Sequence, residues 1–481
     1  MKICFVCDLH LPFDVNALQY DVLTWAISDI SQNTPDCVVY VGDVTCDGNE
    51  QAYISFIKAL VDTGIPFLYI PGNSDMRCFE SSESIRRNAS PVKNVINGTS
   101  IYAINDCYGY VSAEQLELLD EANEDSIVFM HHPPQSNARM LNWRITHPKT
   151  ALFYGHLHVY GKDGNWISLP ALDPDKSIGE MPGLVYYDTV KREASRSYYD
   201  SKIPQDIYDY FGISCYNPIG QIKYATEKGL KHIELRPNCI GESPERLLKH
   251  INLWRNAGGE SLSIHLPDVG YSAGKVFFAD RYDEIIDLVR LLSADRVTQN
   301  VPMVSVGEIN DCPEILGKIS EELGCRLNSI SHSIIIGVEN MHMTSKEKPN
   351  DSRRFGYTPQ ECIAFMASVQ EKCRHKVGIN FDIGHARNNA PYSQKYQIST
   401  WFSMLGKHIV SYHLHQVTNE NGKFENHMPI THIYGNLISF ASFFKCWDSV
   451  RINKSPIIFE MRPDDAYERT LATFDKYKQN Q

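Results

Sequence analysis

The 481-residue sequence predicts an α/β protein in two parts, the second of them an eight-stranded (β/α)8 barrel. Three observations predict this. Short apolar runs alternate with helical stretches through the first 190 or so residues. A charged and polar segment, KREASRSYYDSKIPQD, breaks the pattern near residues 190–205. Eight further strand-like runs then follow within about 270 residues, most with helical sequence between them.

In the first part, expected to span 1–195, ICFVC at 3–7 reads as a strand and leads to a helix near 16–31. CVVYVG at 37–42 precedes a helix near 49–62, and FLYI at 67–70, SIVFM at 126–130 and ALFYG at 151–155 are the next strands. LPALDPDKSIGEMPG at 169–183 reads as a Pro/Gly-rich closing loop. In the second part, expected to span 205–475, the strands are read at FGISCY 211–216, HIELRP 232–237, SLSIHL 261–266 and MVSVGE 303–308. IIIGVEN 334–340, VGINFDIGH 377–385, IVSYHLH 409–415 and PIIFEMRP 456–463 complete the eight.

Composition narrows the function. A formal net charge of −12 disfavours a broad basic surface for nucleic acid or anionic membrane. No apolar stretch reaches the length of a membrane span, and Asp8 and His10 interrupt the apolar start, so no signal peptide is expected. Thirteen scattered cysteines fit reduced thiols in a cytoplasmic protein. Cys4 and Cys7 form a CxxC, but three positions apart on a strand they face opposite ways.

The chemistry gathers at strand ends. Asp8 and His10, at i and i+2, share a face, as do His156 and His158 in GHLH. Asp43 follows CVVYVG, Asn73 follows FLYIPG, and His131 follows IVFM. Any one of these is ordinarily a turn or a packed histidine. Together, carboxylates, imidazoles and an amide suit two divalent ions with one aspartate shared; manganese, iron and zinc all accept such ligands. Ser74 follows Asn73, and a hydroxyl without a pKa near neutrality is a poor general acid. His132, Arg139 and His147 lie near in sequence as substitutes, and Arg139, Arg144 and Lys149 could meet a phosphate.

The order DxH, GD, GNxD, H, GHxH in residues 1–190 resembles the calcineurin-like metallophosphoesterases, which implies a β-sandwich flanked by helices. The resemblance implies that Asp8, His10 and His158 hold one metal, that Asn73, His131 and His156 hold the other, and that Asp43 bridges them. It implies hydrolysis of a phosphoester, with Asp43 and His10 in the catalytic centre and Ser74, His132 and Arg139 near the substrate. Many members have histidine where this chain has Ser74, so a good leaving group, another proton donor, or a slow or inactive site is expected.

VEN, FDIGHAR, YHLHQ and FEMRP in residues 205–475 resemble the xylose-isomerase-like TIM barrels, which include sugar isomerases, epimerases and endonuclease IV-type enzymes. That resemblance implies one divalent ion, manganese or zinc, on Glu339, Asp382, His413 and Glu460. Glu339 and Glu460 would double as the acid/base pair, with His385 and His265 near the ligand. The trinuclear endonuclease pattern is incomplete: His265, His385 and His432 match, but Ser305, Ile430 and Gln416 depart from it. The expected substrate is therefore a small phosphate or sugar-like molecule rather than nucleic acid. The alternatives are a two-domain nuclease, or a phosphoesterase whose barrel only senses a metabolite.

Overall fold

The computed structural model describes residues 1–178, 180–344, 346–387, 392–420, 423–435, 439–448 and 452–479. The chain forms two compact units, Met1–Ser201 with Tyr434–Ser442, and Lys202–Ile433 with Phe443–Gln481.

The first unit is a sandwich of two sheets. One comprises β1 (Lys2–Val6), β2 (Cys37–Val41), β3 (Phe67–Ile70), β10 (Gly183–Asp188) and β11 (Glu193–Tyr198), in the order β11-β10-β1-β2-β3. The other comprises β4 (Lys93–Ile96), β5 (Thr99–Ile104), β6 (Ile127–Met130), β7 (Ala151–Tyr154), β8 (Gly161–Asp163) and β9 (Trp166–Ser168), in the order β4-β5-β6-β7-β9-β8. β1, β2 and β3 run parallel, as do β5, β6, β7 and β9. Strand alternation explains the core. Ile3, Phe5, Val39, Val41, Leu68 and Ile70 face Ile101, Ile127, Phe129 and Phe153 across the sandwich. The rings of Phe5 and Phe153 stack at 3.7 Å. The outer face of the second sheet is covered by Leu119, Met140 and Trp143. Cys7 belongs to the inter-sheet core while Cys4, also buried, does not; all thirteen cysteines are free.

The second unit is a closed parallel barrel. Its strands are β12 (Phe211–Cys215), β13 (His232–Leu235), β14 (Ser261–His265), β17 (Arg296–Asn300), β18 (Ile335–Glu339), β19 (Lys376–Asp382), β20 (Ile409–Leu414) and β23 (Ile457–Phe459). Two hairpins leave the barrel, β15 (Val269–Ser272) with β16 (Lys275–Phe278), and β21 (Gln416–Glu420) with β22 (Lys423–Met428).

One strand departs from the sequence reading. The fourth is Arg296–Asn300, not 303–308. RVTQN carries too few apolar residues to stand out, although Val297 and Thr298 are buried. Ser305 instead caps the helix Val306–Asp311 through a capping box with Glu308, so it is no strand-end ligand position. No helix among the described residues is long and apolar enough to cross a membrane.

Candidate metal centres

The two sheets of the first unit deliver their strand ends to one place. β1, β2 and β3 present Asp8, His10, Asp43 and Asn73; β6 and β7 present His131, His156 and His158. Asp8, His10, Asp43, His156 and His158 all have positive φ, between 48° and 68°. Non-glycine residues avoid this region, and strain of this kind is kept where a side chain must be aimed. Backbone bonds hold it in place: Asp8 N–H donates to the Gly42 carbonyl (3.1 Å) and His10 N–H to the Asp43 carbonyl (3.0 Å). Gly72 is required by close approach, since a Cβ there would fall 2.2 Å from Asp43 Oδ1.

Asp43 Oδ2 lies 3.2 Å from His10 Nε2 and 3.5 Å from His131 Nε2. His131 Nε2 is also 3.1 Å from Asn73 Oδ1, while its Nδ1 donates to the Val41 carbonyl at 3.0 Å. His158 Nε2 is 3.8 Å from Asp8 Oδ1, and Asp8, His10 and His158 converge as one potential ligand group. Asp8, Asp43 and His131 form a second group that shares Asp8, and His131, His132 and His156 a third. Of the two adjacent histidines, His131 reaches Asn73 and Asp43, whereas His132 pairs through Nδ1 with Asp106 Oδ2 at 3.3 Å. Arg139 is exposed in the first turn of the helix Ala138–Thr146.

The electrostatics fit cations. Burial holds His10 and His158 neutral, pushing them down to about 4 and about 2. Burial opposes charge on His131 too, but the carboxylates of Asp43, Asp8 and Asp106 outweigh it and raise this imidazole to about 9. Asp43 stays well below the usual carboxylate range because His131 and His10 outweigh its desolvation. A proton on His131 thus occupies the role a divalent ion would fill. Asp8 Oδ1 is buried with no hydrogen bond of its own, a free lone pair facing the same space.

Ser74 is fully buried and turned away from this centre. Its hydroxyl donates to the Thr45 carbonyl (2.6 Å), and its N–H donates to Asp43 Oδ1 (2.8 Å). The expected contact of its hydroxyl with substrate is therefore replaced by a backbone contact that positions Asp43. Ser74→Ala should leave kcat within about twofold and cost roughly 1 kcal/mol of stability. A tenfold or greater fall in kcat, measured by steady-state kinetics, would put the hydroxyl back on the reaction path.

In the barrel, Glu339, Asp382, His413 and Glu460 are all buried and form one potential ligand group. His413 Nδ1 is 2.9 Å from Glu460 Oε2, 3.3 Å from Glu339 Oε2 and 3.9 Å from Asp382 Oδ2. Its Nε2 is 3.0 Å from Glu234 Oε1. His265 Nε2 lies 3.2 Å from Glu339 Oε2, and His385 Nδ1 lies 3.3 Å from Glu339 Oε1 and 3.4 Å from Asp382 Oδ2. Desolvation disfavours charge on His385, yet Asp382 and Glu339 raise it to about 9. His413 is raised well above the usual imidazole range by Glu234, Glu339 and Glu460. Asp382 Oδ2 and Glu460 Oε2 are buried without hydrogen bonds. An excess of buried carboxylate is again balanced by protons that a cation would displace.

His432 and Ile430, aligned from sequence, do not reach this cluster: His432 sits against Gln416, 2.8 Å from its Nε2. His427, two residues after Glu425 in β22, takes the place, with His385, His415 and His427 grouped together. His427 N–H donates to His415 Nδ1 (3.2 Å), and His415 Nε2 faces Asp382 Oδ1 at 3.3 Å.

Other contributors escaped the sequence reading. Asp75 accepts from the N–H groups of Gly72, Val44 and Thr45 and from the Thr45 hydroxyl, locking two ligand loops together. Asp106 accepts from the N–H groups of His131 and His132. Asp173 faces His10 Nδ1 at 3.8 Å. Glu234 and Arg236 sit two apart at the end of β13, the same spacing that marked Asp8 and His10, and that signal could have found them.

Comparison with known proteins agrees with both halves. Residues 1–160 match the calcineurin-like phosphoesterase family, and residues 274–477 match the xylose isomerase-like TIM barrel family. The chain is 27% identical over 193 residues to a probable cyclic nucleotide phosphodiesterase of Pseudoalteromonas sp. (strain SM9913), covering 33% of this chain and 71% of that protein. It is 28% identical over 196 residues to the 3',5'-cyclic adenosine monophosphate phosphodiesterase of Haemophilus influenzae, covering 33% and 70%. A crystal structure of a D-tagatose 3-epimerase-like protein aligns with 56% of this chain and 97% of its own, at 20% identity and a TM-score of 0.40. The chain thus joins a calcineurin-like phosphoesterase domain to a xylose isomerase-like TIM barrel.

Proposed function

We propose that the amino-terminal domain hydrolyses a small organic phosphoester, a phosphodiester or sugar phosphate, with two divalent ions. Asp8, His10 and His158 would hold one, Asn73, His131 and His156 the other, and Asp43 would contact both. The observation that carries this reading is the single oxygen Asp43 Oδ2 placed between His10 Nε2 and His131 Nε2. The ions would be manganese, iron or zinc, and would supply Lewis acidity and charge neutralisation at the phosphoryl group. His132, beside His156 with ring centroids 4.7 Å apart, would meet the substrate at the rim. The names of the curated relatives make cyclic nucleotides the first diesters to test.

In the barrel, Glu339, Asp382, His413 and Glu460 would hold one manganese or zinc ion against a sugar-like ligand. Glu339 and Glu460 flank His413 Nδ1 and would carry the acid and base roles of an isomerisation or epimerisation, with His265 and His385 beside them. The thirteen free cysteines support a reducing, cytoplasmic setting.

The test is a substrate panel on protein loaded with manganese, zinc or iron: cyclic nucleotides, bis(p-nitrophenyl) phosphate, phosphomonoesters, abasic DNA and ketohexoses. Phosphodiester turnover that disappears on chelation and returns with metal is expected. Turnover confined to abasic DNA would reverse the assignment.

A further inference from the structure

The segment 169–178 is not an open lid. Ala171, Leu172, Asp173, Asp175 and Ser177 are almost wholly buried. Leu172 N–H donates to the Cys7 carbonyl (3.1 Å), Asp173 N–H to the Asp8 carbonyl (2.9 Å), and Ile178 N–H to the His158 carbonyl (3.3 Å). Gln19 anchors it from below, donating to Asp173 (2.8 Å) and Asp175 (3.1 Å). The strap is therefore bolted to the backbone of two candidate metal ligands, and its geometry is set by theirs. It carries one cation, Lys176, whose N–H donates to the Asp173 carbonyl at 3.1 Å, closing the turn that presents the side chain.

Asp173, three residues before Lys176 in the same turn, faces His10 Nδ1 at 3.8 Å. The strap's bonds to Asp8 and His158 thus bring this turn against the metal centre, and the Lys176 ammonium shares its field with Asp173, Asp43, His10 and His158. Among the described residues it forms no ion pair or hydrogen bond, though most surface lysines and arginines of this unit do, as Lys93 with Glu121 and Arg144 with Asp163. Arg77, its guanidinium fixed on the Cys46 carbonyl at 2.8 Å, adds a second positive charge that Lys176 feels as repulsion. Burial weighs against the charged ammonium, and the carboxylates of Asp173 and Asp43 favour it from a distance. None of the ammonium N–H groups is hydrogen-bonded among the described residues, so its donors are available to an anion at the centre. Ser74, with its hydroxyl on Thr45, offers nothing to that anion.

We propose that Lys176 is a substrate-binding residue of the phosphoesterase centre, donating hydrogen bonds to the non-bridging oxygens of the bound phosphoryl group. This rests on the phosphoesterase reading above, and it assigns to the 169–178 strap the cationic role that the chain lacks beside Asn73.

Two affinities test it, one for inorganic phosphate on the manganese-loaded protein and one for Mn2+ on the metal-free protein, both by calorimetry. Lys176→Met should weaken phosphate binding by about tenfold or more and tighten Mn2+ binding, because it removes a like charge from the cation site. Lys176→Arg should recover most of the phosphate affinity. Mere structural damage would weaken both ligands together. Equal phosphate affinity in wild type and Lys176→Met overturns the proposal, as does joint weakening of phosphate and Mn2+ that Lys176→Arg shares. Absence of phosphoester turnover in the wild type would count against the phosphoesterase reading alone, since the two binding measurements do not depend on turnover.

Discussion

Asp43→Asn is expected to lower kcat/KM for phosphodiester hydrolysis by at least about a thousandfold, with the fold intact. Asp43 has one oxygen for each of two tasks: Oδ1 accepts the Ser74 N–H, and Oδ2 lies between His10 and His131. In the asparagine variant, the amide oxygen keeps the Ser74 bond, so the NH2 group points at both imidazoles. A donor then stands where two cations need a shared anion, and the negative charge is gone. Metal analysis should show loss of ions from the amino-terminal domain. Glu339→Gln, measured in parallel, should leave this hydrolysis within about twofold of wild type, because Glu339 belongs to the barrel. Unchanged hydrolysis in Asp43→Asn would defeat the dinuclear assignment.

The candidate ligand set was readable in the sequence because its residue types cluster just past strand ends, where the fold brings them together. Asp8 with His10, and His156 with His158, lie two apart just past parallel strands, but the positive φ of all four, and not a strand's alternation, aims their side chains. What surrounds them was not legible. Asp75, Asp106 and Asp173 act through backbone N–H groups and second contacts that only the folded loops bring together. The fourth barrel strand was misplaced because RVTQN hides its buried face behind Arg296 and Asn300, while MVSV imitates a strand. His427 was missed for a different reason. It enters from a hairpin with a positive φ of 61° rather than from a strand end, so periodicity gave no signal.

The barrel makes a second prediction, on stability. Arg236 Nη1 lies 2.7 Å from Glu460 Oε1 and 3.7 Å from Glu234 Oε1, among four buried carboxylates, Glu234, Glu339, Asp382 and Glu460. In metal-free protein the balancing charges are this guanidinium and the protons on His413 and His385. Arg236→Met should therefore destabilise the metal-free barrel by about 3 kcal/mol, the cost of leaving a buried carboxylate short of its partner. The sign of the pH dependence follows from the raised histidines. His385 moves from 6.5 to about 9 on folding, so its stabilisation is fully present below pH 6.5 and is lost as pH rises towards 9. Metal-free wild type should lose stability across that window, and Arg236→Met should lose it from a lower start. A divalent ion replaces both protons and guanidinium as counter-charge, so saturating Mn2+ should flatten the pH profile and raise Tm more in Arg236→Met than in wild type. Thermal denaturation of both proteins at pH 6.5 and pH 9, with and without metal, reads these differences. A metal-induced rise in Tm no larger in Arg236→Met than in wild type would mean that the four carboxylates are not a cation site.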